Sequence, residues 1–149
     1  MVQEEKELLL KDLNARLSYG VKVHCEWNQF QGDRISEDGE LVSVNIYSGS
    51  IHFKRNSGRI TEIPFNRIDG TVLPYLRPLS SITKEEEAEF EELFIGYSIS
   101  QDRNCVYCSK RGDLDLGFID WLITHHFDYR GLIPMGLALE APENMYKVN

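Results

Sequence analysis

The sequence predicts an α+β protein: an N-terminal helix, a small five-stranded antiparallel barrel, then two C-terminal helices and an irregular tail. An SH3-like or Sm-like barrel fits best, with an OB-like barrel as the alternative. Three observations carry this prediction. Leucines recur at helical spacing in residues 4–17. Between residues 21 and 73, short runs of alternating apolar and polar side chains are separated by turns rich in Gly, Ser, Asn and Asp. Beyond residue 78 the apolar period becomes helical again. The chain therefore divides into residues 1–78, helix plus barrel, and residues 79–149, a helical segment packed on it as part of one structural unit.

In the first helix Leu10, Leu13 and Leu17 share a face with Leu9 beside it, Glu4, Glu5 and Glu7 crowd the first turn, and Arg16 sits in the last. Gly20 supplies a stop. Val21, Val23 and Cys25 alternate with Lys22, His24 and Glu26 as a half-buried strand requires. Residues 30–40, with Gly32, Asp33, Ser36, Asp38 and Gly39, read as a polar loop. Strands follow at Leu41 to Tyr47, Ile51 to Lys54, Arg59 to Ile63 and Thr71 to Leu73, joined by Ser48-Gly49-Ser50, Asn56-Ser57-Gly58 and Asp69-Gly70. Pro74 and Pro78 bracket Tyr75-Leu76-Arg77 as a stiff exit. Thr83 and Glu86 have capping-box spacing and open a helix to about residue 95. Residues 96–113 read as a loop, and about 116 to 126 as a third helix. Apolar residues such as Leu132, Ile133 and Leu137 bring the tail back onto the body.

The 149 residues are 42% hydrophobic, which supports a buried core and argues against disorder. The net charge of −8 is unevenly spread. Residues 51–80 carry an excess of basic side chains, and both flanks are acidic. Such a chain repels nucleic acid unless the middle segment presents a focused basic face. The N-terminus lacks the positive charge and long apolar run of a secretory signal, and no stretch approaches the roughly 20 apolar residues that span a bilayer. Three cysteines, Cys25, Cys105 and Cys108, make a poor disulfide framework. These features point to the cytoplasm and to no membrane partner.

The segment from Asp120-Trp121-Leu122 through His125-His126-Phe127-Asp128-Tyr129-Arg130-Gly131-Leu132-Ile133-Pro134-Met135-Gly136 to Glu143 resembles a group of small proteins encoded by gut Bacteroidetes and by the phages and mobile elements they carry. Tyr19-Gly20-Val21-Lys22-Val23 and Pro74 to Thr83 share the resemblance. It covers the first helix, the barrel frame and the C-terminal third. It implies a mobile-element origin and action inside a bacterial host, and brings no activity with it.

Three constellations could carry chemistry. Cys105-Val106-Tyr107-Cys108 could chelate zinc, with His125 or His126 completing the set at a finger-like separation. Adjacent histidines on a helix point about 100° apart, so only one ligates readily, and Asp113, Asp115 or Cys25 would complete the site. Two free thiols in a loop is the plainer reading. His125-His126-Phe127-Asp128 could serve a metal-dependent hydrolase. Histidines at a helix C-terminus are more simply explained by the dipole, with Asp128 pairing one of them or Arg130. The third is the basic and aromatic stretch of His52, Phe53, Lys54, Arg55, Arg59, Phe65, Arg67, Tyr75 and Arg77, with Lys54, Arg55, Arg59 and Arg67 as the candidate ligand-binding surface. Alternation places Phe53 in the core instead of on a stacking platform, so single-stranded nucleic acid is the weaker partner and a host protein or small anionic ligand the stronger. The same basic face could dock the acidic helix of a second copy in a homodimer. The nucleophile elbow, the P-loop and the dinucleotide fingerprint are all absent.

The reading is a non-enzymatic binding protein without a resident cofactor, zinc excepted. Elemental analysis of the purified protein separates the zinc-stabilised alternative from the rest. Stoichiometric zinc, with stability lost to chelator, establishes it, and its absence removes it.

Overall fold

The structure, a computed structural model, describes residues 2–29, 32–64, 70–103, 105–108 and 117–146. Helix α1 (Gln3–Arg16) leads through a 3₁₀ turn and Gly20, at φ +70°, into strand β1 (Lys22–Asn28). Strands β2 (Arg34–Asn45), β3 (Ser50–Arg55), β4 (Ile60–Pro64) and β5 (Gly70–Leu76) follow. Then come α2 (Lys84–Leu93), a short hairpin of β6 (Tyr97–Ile99) and β7 (Val106–Cys108), α3 (Gly117–Thr124), and β8 (Leu139–Glu140) in the tail. The protein is thus α+β, with the expected N-terminal helix and two later helices.

The sheet has the strand order β4-β3-β2-β1-β5-β8. Neighbours are antiparallel except β5 and β8, which pair in parallel, Tyr75 opposite Leu139 and Leu76 opposite Glu140. The sheet is not closed, where a five-stranded barrel was expected. The edge of β5 that would complete such a barrel is taken at its C-terminal end by the tail, and the amide of Ala141 extends the ladder to the carbonyl of Leu76. Covering an edge in this way satisfies its open backbone groups.

Residues 34–40 are strand, where a polar loop was expected. Their side chains are too charged to signal burial, but they pair across the ladder: Asp38 with His24, Glu37 with Arg55, and Glu26 with Arg34. The long β2 serves two partners, β1 along its first half and β3 along its second. Gly39 stands where both ladders overlap. A Cβ there would lie 2.3 Å from the carbonyl oxygen of Lys54 and 2.7 Å from the Phe53 ring, so only glycine lets β3 approach this closely. The register then shifts between Leu41 and Ser43. The 96–113 loop likewise contains β6 and β7, a hairpin too short to show alternation. Strand β5 also runs on through Pro74, which lies opposite Val23.

Two cores result. One lies between α1 and the sheet, where Leu9 and Leu13 meet Val23, Ile51, Phe53 and Val72, all fully buried, and the tail adds Leu132, Leu137 and Ala138. The second is aromatic and belongs to the later helices. Phe90 packs on Trp121 at 5.2 Å between ring centres, beside Phe127, Tyr97 and Leu122.

A buried ion group joins them. The inward face of α1 is Leu9, Asp12, Leu13 and Arg16, one position round from the leucine face expected. Arg16 and Asp12 are fully buried and paired at 2.8 Å. Arg16 also donates to the carbonyl of Phe127 at 2.7 Å, and Asp12 accepts from Arg130 at 3.1 Å. Tyr129 lies beneath both guanidinium groups. Removing one member of such a pair strands a buried charge. We expect Arg16→Met to lower unfolding free energy by about 3–5 kcal/mol in urea titration, and the Arg16→Met/Asp12→Leu double variant to recover most of that loss.

Candidate functional site

The seam between the two cores opens into a cavity of about 720 Å³, a volume suited to a small ligand or a single side chain and its flanks. Four chain segments build it. Arg77 follows β5 and is held by backbone bonds on both sides: its amide donates to the carbonyl of His126, and its carbonyl accepts from Asp128. Thr83 and Glu86 open α2, His125 and His126 close α3, and residues 140–146 of the tail form the remaining wall.

Arg77 is the centre of the arrangement. Its guanidinium grips both carboxylate oxygens of Glu86, at 2.7 and 2.8 Å, and lies 4.2 Å from the centre of the Phe127 ring. Glu86 is fixed in turn by the capping box, accepting from the amide of Thr83 while the Thr83 hydroxyl accepts from the amide of Glu86. Burial pushes the Glu86 carboxyl up. The Arg77 and Thr83 hydrogen bonds and the guanidinium charge outweigh it and hold the group at about 2.

The histidines do different things. His125 Nδ1 lies 2.8 Å from the carbonyl of Trp121 and must donate to it. Its ring stacks on Trp121 at 4.0 Å. His126 turns the chain in the left-handed region, φ +64°, and stacks on Tyr146 at 3.6 Å. Tyr146 pins the tail: its hydroxyl accepts from the amide of Lys22 at 2.9 Å and donates to the carbonyl of Tyr75 at 2.7 Å. Burial first, then the charges of Arg16 and Arg77, lower His126 to about 4, so its ring is neutral at neutral pH. Its Nδ1 is buried without a hydrogen-bond partner among the described residues. Asp128 pairs with neither histidine nor Arg130. Its two carboxylate oxygens accept from the amides of Leu132 and Ile133 and fold the tail back.

Of the residues in the three constellations singled out from the sequence, His125, His126 and Arg77 reach this seam. Cys105 is an exposed free thiol, and Cys108 lies in β7 with its side chain outside the described residues, as are Asp113 and Asp115. Among the described residues no three of His, Cys, Asp or Glu gather as metal ligands. Lys54 is exposed on β3, Arg59 is exposed just before β4, and Arg67 lies outside the described residues. Arg55 is bound to Glu37 and lies over the Trp27 ring, so it is not a free cation. Lys22, Lys54 and Arg55 line a shallower cavity of about 400 Å³ together with Asp38 and Glu40, which offset their charge. The expected cationic face is therefore interleaved with acids. Arg77 stood in the basic and aromatic stretch but outside the four residues expected to bind, and Glu86 and Tyr146 were not anticipated as site residues. The Thr83–Glu86 capping box was visible, but nothing in the sequence ties its glutamate to Arg77.

No protein-family model matches the chain, and neither a curated protein nor a solved structure matches it. Among the described residues no helix is long and apolar enough to cross a membrane. A histidine whose pKa is lowered in the folded state gives stability that is intact above the unfolded value of 6.5 and declines as pH falls towards 4. We expect the urea midpoint to drop between pH 7 and pH 5. His126→Asn, which tolerates the left-handed turn, should show a smaller drop.

Proposed function

We propose that the protein is a binding protein of phage or mobile-element origin that acts in the cytoplasm of its bacterial host. Its partner is a host protein from which it accepts a cationic side chain, arginine or lysine, in the seam cavity. The scaffold is read as a small barrel of SH3-like or Sm-like type. The meander in which β5 returns beside β1 supports this, with the tail seated where such a barrel would complete itself. The origin rests on the C-terminal phrase around Asp120 to Glu143.

The observation that carries the ligand class is the charge of the cavity wall. Among the described residues Arg77 is the only arginine of the wall, and Glu86 neutralises it. His126 is neutral. Glu140 and Glu143 stand exposed on the tail wall. The balance is negative, which repels a small anion and favours a cation. The lining also supplies ring faces, His125, His126 and Tyr146, along which an aliphatic stem or a guanidinium plane can lie. A host protein is therefore preferred to a small anionic ligand, and single-stranded nucleic acid is disfavoured.

The test is a titration followed by amide chemical shifts, with two capped tripeptides, Gly-Arg-Gly and Gly-Glu-Gly. The arginine peptide should shift residues of the 77–86 and 140–146 segments, more strongly at low salt. The Glu140→Gln/Glu143→Gln variant should bind it roughly 2- to 10-fold more weakly, as expected for two rim charges. Preference for the glutamate peptide, or indifference to both, would remove the reading.

A further inference from the structure

On the face of β1 and β2 turned away from the first core, the register sets His24 opposite Asp38 and Glu26 opposite Ser36. Four side chains there form a directed chain. The Tyr75 hydroxyl donates to Asp38 Oδ1 at 2.9 Å. The same oxygen lies 2.7 Å from His24 Nδ1, and His24 Nε2 lies 3.1 Å from Ser36 Oγ. An ionised carboxylate can only accept, so Asp38 fixes the proton of His24 on Nδ1. Nε2 then presents its lone pair to the Ser36 hydroxyl. This is a serine, histidine and aspartate arrangement recognised by roles and distances, on unrelated local structure. A second acidic group, Glu26, has an oxygen 3.6 Å from Nε2, where it favours the imidazolium that forms when Nε2 takes a proton. Glu26 is itself bound to Arg34 at 3.2 Å. Ser36 is exposed, so a carbonyl carbon can reach its oxygen.

We infer that Ser36 is the nucleophile of an acyl-transfer site that accepts small activated esters, with His24 as base and acid and with Asp38 and Tyr75 as positioning residues. Ser36 Oγ forms a bond to the ester carbonyl carbon as its proton passes to His24 Nε2. The bond from that carbon to the leaving oxygen breaks, and His24 returns the proton to the departing alcohol. Water then attacks the acyl-serine, gives a proton to His24, and the carboxylic acid leaves as Oγ takes that proton back. Ser36 stands on an open strand face, so water meets the charge growing on the carbonyl oxygen. Turnover is therefore confined to good leaving groups such as aryloxides. The gain is that of general base catalysis alone, on the order of 10²–10⁴-fold. The site is separate from the seam cavity and stands whether or not that cavity binds a cation.

The probe is 4-nitrophenyl acetate on the full chain. We expect a burst of 4-nitrophenolate, one acetyl group added by intact mass, and peptide mapping that places it on Ser36. Ser36→Ala should abolish the burst, and His24→Gln should slow it roughly 100-fold or more. Asp38→Asn should slow it too and remove the far-downfield Nδ1 proton resonance of His24, which a purely structural role for Asp38 would not require. Acetylation confined to lysines, or a burst unchanged in Ser36→Ala, would overturn the inference. If a variant fails to fold, fluorophosphonate labelling of the unaltered protein decides. Label on Ser36, competed by the ester, supports the site, and an unlabelled Ser36 refutes it.

Discussion

The structure depends on a guanidinium that has no access to water. Arg16 reaches from α1 to Asp12 on its own helix and to the carbonyl of Phe127, more than a hundred residues away in sequence. A charge this deep is tolerated only while its partners hold their positions, because the interior offers no solvent to replace a lost bond. Phe127 follows α3, and its neighbours His126 and Asp128 are the residues bridged to Arg77. One buried side chain thus sets where the helical segment meets the sheet, and with it the shape of the seam.

Each wall of the seam cavity inherits its position from a local rule. The capping box orients Glu86, Glu86 orients Arg77, and Arg77 covers Phe127. Asp128 gathers two backbone amides and so starts the return of the tail. Tyr146 completes that return by bridging the start of β1 and the end of β5. The cavity is the space left when four separately determined segments converge.

Alternation made the strands from Val21 to Cys25 and from Ile51 to Lys54 legible, because each buries one face. The same rule placed Phe53 inside, where it is found. It failed for residues 34–40, whose partners are ions across a ladder, and for the β6–β7 hairpin, whose three-residue strands hold too few positions to show a period. Arg16 was expected in the last turn of the helix as a complement to its dipole. Its burial is decided by the carbonyl of Phe127, which no local pattern announces. The histidine pair was visible as a constellation, but metal spacing suggested partners among the cysteines, and the structure seats His125 and His126 on aromatic rings. The serine of the β1–β2 face escaped notice for the opposite reason: its partners come from register, and motif spacing along one strand cannot express it.

The short parallel pairing of β8 with β5 bears on biosynthesis. A ribosome delivers β5 long before β8, so the flank of β5 emerges uncovered while the helical segment is still being made. During that interval the nascent sheet offers a template to any extended chain nearby. Slow translation of the segment between them would lengthen the hazard, and crowded polysomes would make neighbouring nascent chains the first available strands.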